Sequence, residues 1–334
     1  MTTAIVVGAG PAGSAAAIGL ARAGAKVQML ERSRETGDAL CGGFLSWRTL
    51  ARLEALGIEG ERLGGQTVRR VRLFAGLRHS ESDLPGEAMG ISRRRLDSVL
   101  QSAAVAAGAG IERGIHATRL AAGAVQTRDG ATLAAPAIFL AAGKHGFRGF
   151  PRDPAPWQRT DPVIGLRLRL PAHLALDRLV GDAVEIHLFD RGYAGLIRQE
   201  DGEGNLCLAV HKSRLDESGG DPAALLRTLG ISQPQLGERL AHADWTRNID
   251  AIGPAVAPGK GAGVYFMDTS SAAADLGDKA GIESQTVAAL LASGGYGITD
   301  KHILALDEAG QLSKRQALRI LEISRATGAR GIFL

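Results

Sequence analysis

The chain opens on a short unbroken apolar run at residues 3–7, which predicts a buried strand. Small residues follow, Gly8-Ala9-Gly10-Pro11-Ala12-Gly13, and residues 14–23 then carry the pattern of a small-residue helix that Gly24 ends. Lys26-Val27-Gln28-Met29-Leu30 predicts a second strand, ending at Glu31. Strand, glycine turn, helix and strand form a βαβ unit. Beyond it the period shortens. Residues 68–74 and 163–170 mix apolar and basic positions, with clean alternation in Leu166-Arg167-Leu168-Arg169-Leu170, as half-exposed strands do.

Residues 184–189, 193–197 and 206–210 predict an antiparallel meander, with turns around Asp190-Arg191-Gly192 and at residues 201–204. Between these regions Arg93-Arg94-Arg95-Leu96-Asp97 opens a helix running to Ala107, and Ala137-Ile138-Phe139-Leu140 is a buried strand leading to Gly143. Residues 221–229 and 235–243 look helical, and residues 263–266 form a short strand ending in Met267-Asp268. The pattern predicts an amphipathic helix over 282–292 and mostly helix over 300–334, with Ser313 as a cap for residues 314–327. The expected fold class is therefore α/β: a Rossmann-like parallel-sheet domain with an inserted antiparallel sheet. Residues 1–65, 93–150 and 250–300 are assigned to the parallel domain, 66–92 and 151–249 to the antiparallel domain, and 301–334 to C-terminal helices.

Composition narrows the function. Glycine supplies 45 of 334 residues without a Gly-X-Y period, about twice its usual share of ~7%, so many turns require a residue without Cβ. Two cysteines, Cys41 and Cys207, exclude a disulfide framework and a four-cysteine zinc site, and the expected location is cytoplasmic. No apolar stretch reaches the ~20 residues of a membrane span, and residues 4–20 lack the basic start of a signal peptide. The net charge of +4 favours a solvated basic face over a nucleic-acid surface, which would also want more aromatics than the 4% present. Peripheral contact with a membrane, and the oligomeric state, stay open.

A G-x-G-x-x-G turn is a weak signal alone. Here a strand precedes it, a helix follows it, and an acid stands at Glu31, the context in which the motif binds a dinucleotide. Gly8 permits the tight turn, Gly10 admits the pyrophosphate, and Gly13 lets helix and strand pack closely, while the helix start offers free N–H groups. Glu31 can accept from two ribose hydroxyls and repels a 2′-phosphate, which favours FAD or NAD over NADP. The plainer alternative is a helix-capping glycine turn with a surface glutamate.

An ordered set of motifs goes further. Gly8-Ala9-Gly10-Pro11-Ala12-Gly13 with Glu31-Arg32, Cys41-Gly42-Gly43-Phe44-Leu45-Ser46, Arg93-x-x-Leu96-Asp97, and Leu140-Ala141-Ala142-Gly143-Lys144 resemble flavoproteins of the geranylgeranyl-reductase and aromatic-hydroxylase group. That group shares its FAD-binding fold with para-hydroxybenzoate hydroxylase. The resemblance implies FAD as cofactor, NADH or NADPH as transient donor, and an apolar small-molecule substrate. It places Gly8, Gly10, Pro11, Ala12, Gly13, Glu31, Arg32, Cys41, Gly42, Arg93, Gly143 and Asp268 near the cofactor. Tyr193 on the substrate sheet, Cys41 and His187 are the catalytic candidates; His145 and His211 are further general acid or base candidates of the same kind as His187, and Lys144 and His145, beside Gly143, are candidates for touching the cofactor. Cys41 as a packed thiol and Arg93 as a solvated helix start remain alternatives.

Two departures stand out. The group's Tyr-x-Trp-x-Phe-Pro strand is reduced here to Tyr193-Ala194-Gly195-Leu196, and its Gly-Asp motif appears as Met267-Asp268 without the glycine. Three readings follow: an FAD-dependent oxidoreductase, a monooxygenase or a reductase; a catalytically impaired flavin- or nucleotide-binding protein; and, least supported, an NAD-only dehydrogenase.

Overall fold

The computed structural model describes residues 3–121, 124–143 and 160–253, and beyond them four strands plus helical positions at Arg319, Glu322, Ile323, Ala326 and Thr327. Contacts divide the chain into two units. The first comprises Met1–Thr36, Leu100–Asp153 and Val256–Leu334, the second Gly37–Val99 and Pro154–Ala255.

In the first unit the opening apolar run is β1 (Ala4–Val7), buried at every position because a neighbour lies on each side. It pairs in parallel with β2 (Val27–Glu31) and with β10 (Ala137–Leu140), so that Val7 stands beside Leu30 and Leu140. Helix α1 (Pro11–Arg22) makes the right-handed return between β1 and β2. The sheet continues through β6 (Gly110–Arg113) on one side. On the other it runs through β19 (Arg330–Phe333), β18 (His302–Leu306), β16 (Gly263–Asp268) and β17 (Glu283–Thr286). Its pairings are parallel except at β16, which is antiparallel to both neighbours. A small sheet of β7 (Ala117–Ala121), β8 (Ala124–Thr127) and β9 (Thr132–Ala134) packs Leu120 and Val125 onto Ile5, Val7, Leu30, Ile138 and Leu140.

The C-terminal expectation needs correcting. Residues 302–306 and 330–333 are strands of the parallel sheet, not helices, and 283–286 pair as a strand inside the expected helix 282–292. Short apolar runs such as His302-Ile303-Leu304-Ala305-Leu306 do not distinguish helix from strand by periodicity, and pairing decides. The Ser313 cap lies outside the described residues.

The second unit is an eight-stranded sheet. Its order is β15 (Asp250–Ile252), β11 (Val163–Leu170), β14 (Gly204–His211), β13 (Gly192–Arg198), β12 (Ala183–Phe189), β4 (Gln66–Ala75), β5 (Arg78–Gly90), β3 (Phe44–Leu45). The meander β12-β13-β14 is antiparallel as its alternation predicts, and the one parallel pairing is β12 with β4. The unit also holds α2 (Trp47–Ala55), α3 (Gly60–Leu63) and the first half of α4 (Arg93–Ala106). Further helices follow β11: α5 (Leu174–Val180), α6 (Lys212–Asp216), α7 (Pro222–Ser232) and α8 (Pro234–Leu240). Residues 37–65 and 93–99 thus group with the antiparallel sheet rather than with the parallel domain assigned from sequence. The cause is local: residues 38–43 bond to β11 and β14, and β3 pairs with β5.

Alternation gives this sheet two different faces. Leu166, Leu168 and Leu170 of β11, Ala194 and Leu196 of β13, and Leu206, Leu208 and Val210 of β14 point one way. Leu176, Leu225, Leu226, Leu229, Leu236 and Leu240 of the helices seal them. Each fully buried leucine contributes about 1.5–3 kcal/mol relative to an exposed one, so this face is the core of the unit. The opposite face carries Leu188, Tyr193, Ala209 and Gly165 side by side in register, and next to them Leu73, Ile186, Gly195 and Cys207.

Candidate cofactor and substrate sites

In the first unit the glycine turn is built as its spacing requires. Gly8 adopts φ +98°, and a Cβ there would lie 2.3 Å from the Ala141 carbonyl oxygen. A Cβ on Gly13 would lie 1.9 Å from the carbonyl oxygen of Gly8, so helix α1 sits directly on the turn. Gly10 caps α1 in an extended conformation without a side-chain bond, and Pro11 occupies the first helical position, where its missing N–H is harmless. Ala12 and Gly13 therefore present N–H groups that have no acceptor among the described residues, at the positive end of a helix.

Glu31 ends β2 half-buried, its two carboxylate oxygens accepting from the N–H groups of Ala9 and Ser33, both at 2.9 Å. Each oxygen keeps a free lone pair for a ribose hydroxyl. Arg32 is exposed, and Gly143, at φ +79°, follows β10 with open space around it. Lys144 and His145 lie outside the described residues.

Two cradle residues escaped the sequence reading. Buried Gln101 donates to the Ala9 carbonyl at 2.8 Å, and the Ser14 hydroxyl donates to the same oxygen at 3.0 Å. Thr36 and Arg113 donate in turn to the Gln101 carbonyl oxygen. The available signal was Asp97 and Gln101, one helical turn apart and polar on the otherwise apolar stripe of Leu96, Leu100 and Ala104.

In the second unit residues 38–43 lie against β11 and β14. Buried Arg167 donates to the Asp38 carboxylate at 3.1 Å, to the Asp38 and Ala39 carbonyls at 2.8 and 3.2 Å, and to Asp250 at 2.6 and 2.9 Å. Asn205 donates to the Cys41 and Gly42 carbonyls at 3.0 and 2.9 Å, and the Cys207 thiol donates to the Cys41 carbonyl at 3.0 Å. Arg93 holds Asp97 with two hydrogen bonds, at 3.0 and 2.9 Å. Burial pushes the Arg93 pKa down, but the Asp97 bonds and charge, with a further interaction in which Arg93 donates to the Cys41 sulfur, outweigh it and raise the pKa above the usual arginine value. Cys41 and Arg93, both assigned to the cofactor from sequence, are thus in contact.

Tyr193 is exposed on the same sheet face as Asn205 and Cys207. His187 is not. It lies on the sealed face, fully buried, stacked on Phe74 at 4.6 Å and 3.3 Å from the carboxylate of Glu185. It therefore cannot join Tyr193 in one site, and its catalytic candidacy is withdrawn. His211 ends β14, bonded to the Asp161 carbonyl at 3.0 Å. Asp268 ends β16 opposite His302, and its side chain lies outside the described residues.

The geometry fits the group that the fold implies. A tight turn whose Gly8 and Gly13 leave no room for a Cβ, uncapped donors at a helix start and an acid at the tip of β2 suit the pyrophosphate and ribose of FAD. These features are those of a dinucleotide-binding βαβ turn, and the FAD binding domain family matches residues 1–145.

Digeranylgeranylglycerophospholipid reductase 2 of Methanopyrus kandleri is 39% identical over 116 residues, 34% of this chain. The chain spans 28% of that relative's length. Among solved structures, a flavoprotein/dehydrogenase from Cytophaga hutchinsonii aligns with TM-score 0.63 at 17% identity, covering 75% of this chain and 66% of its own. PqsL, a probable FAD-dependent monooxygenase from Pseudomonas aeruginosa, aligns with TM-score 0.61 at 16% identity over 78% of this chain and 75% of its own. These likenesses show the α/β fold with its inserted sheet. A second family, an AAA domain, matches residues 249–334. Asp268 falls in that segment, outside the FAD match. The sequence has no G-x-x-x-x-G-K-[ST] phosphate loop: its two Gly-Lys pairs, 143–144 and 259–260, are followed by His145 and Gly261.

Proposed function

We propose that the chain is an FAD-dependent oxidoreductase, with NADH or NADPH as donor and an apolar, phenolic or prenylated small molecule as the species reduced or hydroxylated. The observation that carries this reading is the Gly8–Gly13 cradle with Glu31, inside the segment that matches the FAD family. Bound FAD supplies the electron-pair transfer. The chain's own residues bind and orient: the N–H groups at the start of α1 hold the pyrophosphate, and Glu31 holds the ribose. Tyr193, with Leu73, Ile186 and Leu188 beside it, offers an apolar surface carrying one phenol that can donate to a substrate oxygen. No helix among the described residues is long and apolar enough to cross a membrane.

The test is spectroscopic. The purified protein, mixed with FAD, is expected to take up one equivalent with the absorption bands of a bound flavin, and NADH or NADPH is expected to bleach them without oxygen. A protein that stays colourless after FAD sinks the reading. Gly10→Val is expected to keep the fold and lose FAD by at least about 100-fold in affinity, roughly 2.7 kcal/mol, because the side chain occupies the pyrophosphate's place. Equilibrium dialysis measures the difference, and retained FAD in the variant refutes the assignment of the turn.

A second reading is favoured by the AAA match over residues 249–334, the segment that carries Met267-Asp268 in place of the group's Gly-Asp motif. In it the chain binds flavin without turning over. Flavin that is bound but never bleached by NADH or NADPH distinguishes it from the first.

A further inference from the structure

The backbone of residues 41–43 is held through its carbonyl groups. Asn205 takes those of Cys41 and Gly42, and the N–H of Ile91 takes that of Gly43 at 2.8 Å. Asn205 is almost completely buried, and its amide also meets the Cys207 thiol at 3.5 Å. Gly43 seals the arrangement. It sits at φ +75°, and a Cβ there would come within 2.4 Å of the Gln199 amide and 3.2 Å of the Asn205 amide.

A trans peptide points its N–H opposite to its C=O. With no cis peptide among the described residues, turning the Cys41 and Gly42 carbonyls onto β14 turns the N–H groups of Gly42 and Gly43 away from it. Neither N–H has an acceptor among the described residues. Successive backbone donors facing one way form a concavity for an anionic or carbonyl oxygen. Arg93, in contact with Cys41, adds a positive charge nearby.

We infer that Asn205 is a positioning residue, which aims the Gly42 and Gly43 N–H groups as a donor pair at a carbonyl or anionic oxygen of the substrate. The inference rests on the reading of the exposed sheet face around Tyr193 as the substrate surface. Its test does not need turnover. In a Cys207→Ser background, where the hydroxyl can replace the thiol as donor, Cys41 is the one remaining thiol. The rate at which N-ethylmaleimide alkylates it in flavin-free protein then reports the set of the loop.

Asn205→Leu and Asn205→Asp are each expected to raise that rate about tenfold, the order expected when buried hydrogen bonds are lost. Asn205→Gln, which keeps the amide, is expected to stay within about twofold of the parent. Far-UV circular dichroism selects the variants that remain folded. FAD and 4-nitrophenolate are then titrated into the same apoproteins: an about tenfold loss of 4-nitrophenolate affinity with FAD affinity unchanged supports the donor pair, and a loss confined to FAD overturns it. An unchanged alkylation rate in a folded Leu or Asp variant overturns the inference. So does a raised rate with both ligands held as tightly as by the parent. A parent that takes up no FAD removes the flavoprotein reading instead, and the thiol and phenolate measurements still judge Asn205.

Discussion

Gly13→Ala is expected to destabilise the protein by about 3 kcal/mol, whereas Gly19→Ala in the same helix is expected to stabilise it by roughly 0.5–1 kcal/mol. A Cβ on Gly13 would stand 1.9 Å from the Gly8 carbonyl oxygen and 3.2 Å from the Ala141 side chain. Backbone cannot yield as a flexible side chain does, so α1 must lift from β1 and the turn must open. At Gly19 nothing lies within 4 Å of the added methyl, and only the entropic advantage of alanine in a helix remains. Urea denaturation of the two variants checks the opposite signs. Gly13→Ala with parental stability would mean that helix and turn are not packed as described. Loss of FAD is expected to accompany the destabilisation at Gly13 alone, because the displaced helix start carries the phosphate donors.

Arg239→Met is expected to cost more, about 3–5 kcal/mol, since it strands a buried carboxylate. Glu185 is fully buried on β12 and accepts from Arg239 at 3.0 and 2.9 Å, from Arg72 at 3.2 Å, and faces His187 at 3.3 Å. Arg239 also lies over the Phe74 ring, 5.5 Å from its centre. Burial alone pushes the Glu185 pKa up. The His187 and Arg239 hydrogen bonds and the Arg239 charge outweigh it and hold the pKa below the ordinary glutamate value. A depressed folded pKa contributes stability above the unfolded value of ~4.3, lost as the pH falls through the folded value. The parent is therefore expected to lose part of its stability in acid below about pH 4, and Arg239→Met to lose less there. Denaturant midpoints at neutral and acid pH measure both. Glu185→Leu combined with Arg239→Met is expected to recover most of the loss, because no unpaired charge is left inside. A double variant as unstable as Arg239→Met would show that packing, not charge, sets the cost.

The parts of the fold that the sequence discloses are those whose cause is local. Gly8, Gly10 and Gly13 between two apolar runs, with Glu31 closing the second, specify the βαβ cradle within a short stretch, and the structure builds it so. The alternation of β12, β13 and β14 likewise predicts the meander. What alternation leaves out is which side the helices cover. His187 and Tyr193 share a hairpin, but the pairing of Leu188 with Tyr193 places them on opposite faces, and that register is not written in either strand alone. The Asn205 contact with residue 41 was equally invisible, because it joins residues 164 positions apart. At the C-terminal end the apolar runs at 302–306 and 330–333 are too short for their period to tell strand from helix.

The two-faced build of β14 also bears on the order of folding. A slip of one residue would bring Asn205 and Cys207 into the leucine core and expose Leu206 and Leu208, an exchange of buried apolar for buried polar groups that no neighbouring contact offsets. Residues 38–43 find their partners only on a sheet already in its native register. They are expected to lock last, behind the meander, so that the loop flanking the site closes only on a correctly paired sheet; pulse-labelled hydrogen exchange, with β14 protected before Ile91, reads that sequence of events.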